Sequence, residues 1–234
     1  MLPIRDDAPR STVPFVNYFL IVLNVIIFIY EASLGTAGGD ARESFIREFA
    51  LIPARVPLAW HTGFLGALIP FFSSMFLHAS LAHVFFNMWG LAIFGDNVED
   101  RLGHFGYLIF YLVCGFVAGL THFAFNFDPQ KFGSRVPTVG ASGAIAGIMG
   151  AYIVLYPRAR VLTWWFFFVF WLPAWLVLGY WLIGNILSGA ASALTISRST
   201  GGVAVWAHVG GFICGALLIQ LVPTKKNVYA FEDY

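Results

Sequence analysis

Six stretches of the chain carry no Asp, Glu, Lys or Arg: 11–30, 56–95, 102–127, 136–157, 161–197 and 199–224. Each is long enough for a helix to cross a bilayer, which takes about 20 apolar residues. Lipid offers the backbone no hydrogen-bond partners, so spanning segments must satisfy themselves as helices. The pattern predicts an all-α membrane protein, one domain over 1–234, with spans at roughly 14–33, 70–94, 104–126, 138–156, 161–188 and 203–222. Between the first two spans lie Asp40, Arg42, Glu43, Arg47, Glu48 and Arg55, then an apolar tail with Trp60 and His61. That tail is too apolar for a solvated loop and is expected in the membrane interface. The 161–188 segment is rich in Trp and Phe with Pro173 inside it, which predicts a tilted or kinked helix presenting bulky rings to lipid.

Composition strengthens this picture. Of 234 residues, 59% are hydrophobic and 11% charged, where soluble domains carry about 25% charged residues. A net charge of +1 excludes a nucleic-acid binder. Cys114 and Cys214 fall inside apolar stretches and read as packing residues rather than a disulfide framework. Arg5 and Arg10 before the first apolar run imitate a signal peptide, but the run is long and no cleavage motif follows, so it is expected to be a retained span. Basic residues only weakly orient the chain: Arg5, Arg10, Arg101, Arg158, Arg160, Lys225 and Lys226 on one side, Arg42, Arg47, Arg55, Lys131, Arg135 and Arg198 on the other. The first set lies closer to span ends, which places both termini inside. No internal repeat is present, which disfavours a two-fold transporter.

Polar residues at membrane depth are costly and therefore informative. They are His78, His83 and Asn87 in the second span, His122 in the third, Ser142 in the fourth, Asn185 in the fifth and His208 in the sixth; the carboxylate nearest to depth is Glu31. Counted from span starts on one face, Ser142, His208 and His83 fall roughly 6–15 Å deep at 1.5 Å per residue. Ser142 sits in Gly140-Ala141-Ser142-Gly143, with Gly147 and Gly150 following. His208 is followed by Gly211 and Gly215 on its own face. Such small-residue faces let helices approach closely in lipid, and would bring a serine hydroxyl to an imidazole, the minimum for activating it as a nucleophile. His83 and Asn87, four apart, point one way and suit stabilisation of an oxyanion, helped by the Ser142 N–H if it opens its helix. His78 lies about 140° round the helix from His83 and is expected to be structural. His61 and His122 are expected to be satisfied by neighbouring groups, and Asn185 to bond an adjacent helix. A metal held by His78, His83 and His208 is disfavoured, because their spacing splays the rings and no carboxylate or thiolate accompanies them.

With these residues in place, the sequence resembles the rhomboid family of intramembrane serine proteases. The resemblance rests on His78-Ala-Ser-Leu-Ala-His83-Val-Phe-Phe-Asn87, Gly140-Ala-Ser142-Gly143 and Ala207-His208-Val-Gly-Gly211-Phe-Ile-Cys-Gly215, in the family's order, with Asn97-Val-Glu-Asp-Arg101-Leu-Gly103 as its connection after the second span. It implies a six-helix bundle with an interfacial first loop and a Ser–His dyad. Ser142 would be the nucleophile, His208 the base and then the acid, and His83 and Asn87 the oxyanion hole. His78, Gly140, Gly143, Gly211 and Gly215 would support the site. The substrates implied are single-span or multi-span membrane proteins cut in or near their transmembrane segments, reached by water through a polar cavity on the outer face. No metal, nucleotide or other cofactor is implied. The sequence departs from the family twice: Ala146 stands where some members pack an aromatic on the catalytic imidazole, and the first loop has no Trp-Arg pair. The alternative is a non-catalytic rhomboid-like protein that binds transmembrane helices. The compact chain is expected in a prokaryotic plasma membrane.

Overall fold

The computed structural model describes residues 1–36, 39–128, 130, 132–194 and 204–225. The basic residues Lys131, Arg198 and Lys226 lie outside them. Helix α1 (Phe15–Thr36) is followed by three short helices, α2 (Ala41–Phe49), α3 (Val56–Thr62) and α4 (Phe64–Ser73), and then by α5 (Leu81–Asn126). The expected 70–94 span therefore divides: α4 ends at Ser73, a 3-10 turn covers Ser74–Phe76, and α5 begins only at Leu81, where the Ser80 hydroxyl caps the His83 N–H at 3.2 Å. Leu58, Trp60, Phe64 and Leu65 on α3 and α4 are exposed.

Helix α5 contains a break at Gly103, whose φ of 70° and ψ of 165° leave helical space and favour a residue without Cβ. Its two arms fold back on each other. Asn17 of α1 ties both, donating to the Leu91 carbonyl at 3.0 Å and accepting from the Tyr107 hydroxyl at 2.8 Å. Their far ends meet one loop, where Thr138 bonds His122 at 2.8 Å and Gly140 lies against the His83 ring. Two antiparallel passes thus replace what is nominally one helix.

Helix α6 (Ser142–Leu155) is buried along Gly143–Tyr152. A helix apolar on all sides belongs at the centre of a bundle, and the α5 arms, α7 (Ala174–Leu194) and α8 (Val205–Leu221) surround it. Phe15–Thr36, Leu81–Asn126 and Ala174–Ala191 are long and apolar enough to cross a membrane; α6 and α8 are apolar but shorter.

The expected helix over 161–188 forms only from Ala174. Residues before it make a hairpin, β2 (Arg160–Trp165) and β3 (Phe168–Pro173), which β1 (Leu2–Asp6) extends to an antiparallel sheet in the order β1-β2-β3. Aromatic and β-branched residues suit strands, and Pro173 ends the strand just before the helix. Asp7 closes the pairing, accepting from the Arg160 N–H at 2.6 Å and from its Nε at 2.8 Å. Trp164 to Phe168 project from the hairpin tip, Phe167 being 93% exposed.

The segments leading into α1 and out of α8 are fixed near the Gly103 break. Glu99 accepts from the Val16 and Asn17 N–H groups at 3.0 and 2.7 Å, satisfying donors that the first turn of α1 leaves open. Asp100 accepts from Ser11 and Thr12; Arg101 Nε donates to the Lys225 carbonyl at 2.7 Å, and the Lys225 N–H to the Arg101 carbonyl at 2.8 Å. The residues leading into α1 and those following α8 therefore meet at the Gly103 break, while Met1 lies farther along the bundle, beside Trp181 and Asn185.

Asp6, ahead of the first apolar helix, accepts from the Tyr152 hydroxyl. Burial, reinforced by the Asp96 charge and opposed by the tyrosine bond, pushes its carboxyl up to about 7. Between the ordinary value near 3.9 and about 7 the folded state then holds more protons than the unfolded chain. Stability is full below that window, falls as pH rises through it and levels above about 7. Thermal unfolding in detergent across pH 4.5–8 is expected to show this fall, and Asp6→Asn to flatten it.

Candidate active site

The loop before α6 is drawn into the bundle by main-chain bonds: Thr138 pairs with Leu51, and the Gly140 N–H donates to Ser74 O at 2.9 Å. Gly140 then turns the chain at φ 124°, where a Cβ would lie 2.7 Å from the His83 ring. This delivers Ser142 as the first residue of α6, with the first helical bond running from Ile145 N to Ala141 O at 3.0 Å. The N–H groups of Ser142, Gly143 and Ala144 are thus free of the helical ladder.

Helix α8 carries His208 on its first turn and meets α6 through glycine. A Cβ on Gly211 would overlap the Gly143 carbonyl, one on Gly215 the Gly147 carbonyl, and one on Gly150 the Phe212 carbonyl. The expected small-residue faces do meet. His208 Nε2 and Ser142 Oγ are 2.7 Å apart, and both side chains are half-buried.

Two further contacts hold the imidazole. His208 Nδ1 lies 2.7 Å from Asn185 Oδ1 on α7, and the Trp181 ring rests against it with centroids 5.5 Å apart at 37°. The aromatic missing at Ala146, which is fully buried, is supplied one helix away. Asn185 bonds an adjacent helix, as its isolation in an apolar stretch suggested; that its partner is His208 had no signal in the sequence. Trp181 is one turn before Asn185, and that spacing is the only hint of a shared face.

Opposite stand His83 and Asn87. The His83 ring accepts the Ala79 N–H at Nδ1 over a long 3.4 Å, which leaves Nε2 as the protonated nitrogen of a neutral ring, on the side of Gly140. Asn87 is buried, and its Nδ2 has no hydrogen-bond partner among the described residues. A Cβ on Gly140 would come within 3.5 Å of that nitrogen. Two N–H donors thus converge on the Gly140 turn.

His78 has a different position. It is fully buried, its ring edge-on to His83 at 5.1 Å. Its N–H donates to the buried Glu31 carboxylate at 3.1 Å, and its carbonyl accepts from Arg42 at 3.3 Å. Arg42 also lies 3.9 Å from Glu31, so this cluster anchors the first loop in place of a Trp-Arg pair. His122 is satisfied by Thr138. A cavity of about 500 Å³ opens among Asp40, Arg42, Glu43 and Arg47, and another of about 310 Å³ reaches Asn185 and Trp181; neither is lined by Ser142 or His208. No cluster of three potential metal ligands occurs among the described residues.

Comparison with known proteins places these residues in context. The Rhomboid domain family model matches residues 65–224. The chain is similar to the mitochondrial RHOMBOID-like protein 12 of Arabidopsis thaliana, 33% identical over 65% of this chain and 46% of that protein. It is also similar to the mitochondrial RHOMBOID-like protein 6 of the same plant, 27% identical over 92% and 71% of the two chains. With the rhomboid protease GluP of Bacillus subtilis it shares 25% identity over 88% of this chain and 35% of that protein. The chain thus spans less than half the length of two of these relatives. Mitochondrial proteins among them, the yeast Rhomboid protein 1 included, argue against the expected prokaryotic plasma membrane.

If the α6–α8 contact sets the site, Gly211→Ala should cost about 1–3 kcal/mol by overpacking, read as a lower unfolding midpoint in detergent. Gly179→Ala on α7, where a Cβ meets nothing within 4 Å, should leave the midpoint unchanged or slightly raised.

Proposed function

Since the chain belongs to the rhomboid family, we propose that it is an integral membrane serine endopeptidase that cleaves peptide bonds in or near the transmembrane segments of other membrane proteins. The observation that carries this reading is the 2.7 Å approach of His208 Nε2 to Ser142 Oγ. A serine hydroxyl is a poor nucleophile until a base within hydrogen-bond reach takes its proton. In the proposed reaction Ser142 Oγ attacks the scissile carbonyl carbon as His208 Nε2 accepts the hydroxyl proton. The carbonyl oxygen becomes an oxyanion facing the Ser142 N–H, the Asn87 amide and His83 Nε2–H. The C–N bond then breaks, His208 returns the proton to the leaving amine, and Ser142 is left acylated. Water attacks the ester with the same base, and Ser142 leaves reprotonated.

Supporting this assignment is the buried Nδ2 of Asn87, which has no partner among the described residues. Leaving such a donor unpaired costs about 1–3 kcal/mol, a cost that a developing oxyanion would offset. A substrate helix must unwind to be cut, since its carbonyls are hydrogen-bonded and sterically closed, so helix-breaking residues near the cleavage point are expected. The α5 arms, α1, α6, α7 and α8 would each cross the bilayer, with the Gly103 break and Arg101 on the cytoplasmic side.

The test is cleavage of a generic transmembrane substrate by purified protein in detergent or proteoliposomes. Ser142→Ala and His208→Ala are expected to reduce cleavage to background, and undiminished cleavage by either overturns the assignment. Asn87→Ala should lower kcat by about 10²–10³-fold, the usual loss on removing one oxyanion donor, with little change in KM.

A further inference from the structure

The atoms of Asn185 face its neighbours in a way that leaves a single arrangement of protons. Its Nδ2 lies 2.9 Å from the Trp181 carbonyl, one turn back on α7. A carbonyl oxygen only accepts, so the amide cannot be turned round without placing two oxygens together. Oδ1 is therefore the atom 2.7 Å from His208 Nδ1, and that ring nitrogen must donate. A neutral imidazole carries one N–H; with Nδ1 protonated, Nε2 holds the lone pair, and it is Nε2 that meets Ser142 Oγ.

We propose, on the hydrolytic reading of Ser142 and His208, that Asn185 is a positioning residue which completes a Ser–His–Asn triad by fixing the tautomer in which His208 can take the serine proton. The orientation of the amide is what makes an asparagine suitable. A serine-protease triad in which Asn replaces Asp loses about 10⁴-fold in kcat, because the amide then holds the wrong tautomer. Here the Trp181 carbonyl occupies the NH₂ group and presents the oxygen to the ring. An amide also avoids the cost of a carboxylate at membrane depth, and once His208 has accepted the proton, Oδ1 remains as acceptor for Nδ1–H. The same turn of α7 lays the Trp181 ring on the imidazole, so His208 is held by edge and by face. The triad is built from three helices, α6, α7 and α8.

Nitrogen-15 spectra of histidine-labelled protein, with the His208 signals identified from their loss in His208→Gln, read the tautomer independently of any substrate. The unmodified protein is expected to show protonated Nδ1 and bare Nε2, and Asn185→Leu a shift toward the Nε2-protonated form. In turnover, Asn185→Leu should lower kcat by about 10²–10⁴-fold with KM within two-fold. A protonated Nε2 in the unmodified protein, or an unchanged tautomer and kcat in Asn185→Leu, overturns the inference. If the tautomer responds as expected but the unmodified protein cleaves nothing, the hydrolytic reading fails while the hold of Asn185 on His208 stands.

Discussion

The contact between the backbones of α6 and α8 is the constraint on which the rest of the structure depends. Lipid gives helices no hydrophobic reason to associate, so packing must come from close surface fit. A methyl group on Gly211 would strike the Gly143 carbonyl, one on Gly215 the Gly147 carbonyl and one on Gly150 the Phe212 carbonyl. Nothing larger than glycine lets a short side chain such as serine reach an imidazole on the facing helix. The separation of Ser142 and His208 is thus set by residues that carry no chemistry themselves.

Around this pair the bundle is held by polar groups used sparingly. At one end Glu99 and Asp100 receive the N–H and hydroxyl groups that lead into α1, and Arg101 ties down the end of α8. At the other end Glu31 and Arg42 grip the backbone at His78 and so fix the turn from which His83 projects. The acidic cluster lies far along α5 from His83 and Asn87 and is structural, while the groups near Ser142 and His208 are neutral amides, imidazoles and N–H donors. That division suits a site at membrane depth, where an unpaired charge would be costly.

Much of this was legible in the sequence because glycine spacing and rare polar residues in apolar helices have few meanings. The faces carrying Ser142 and His208 and the shared direction of His83 and Asn87 follow from helical periodicity; the separate position of His78 does not, because it precedes the start of α5 at Leu81 and lies off the helix. The hairpin at Arg160–Pro173 was not legible: hydropathy cannot separate an aromatic strand from an aromatic helix, and the pairing that decides it comes from Leu2–Asp6, far away in the chain. The partner of Asn185 was hidden for a similar reason, since the crossing of α7 over α8 is a tertiary fact. Ala146 shows the same limit from the other side. The aromatic that some family members carry at this position of α6 reaches His208 as Trp181 from α7, a substitution in space that no local motif records.

The central claim is that His208 makes Ser142 a nucleophile inside the membrane domain. It is tested most directly by treating the purified protein with a fluorophosphonate probe and mapping the modified residue by peptide mass spectrometry. One labelled site is expected, Ser142, with labelling lost in His208→Ala. An unlabelled Ser142 in the folded protein, or equal labelling without His208, would contradict it.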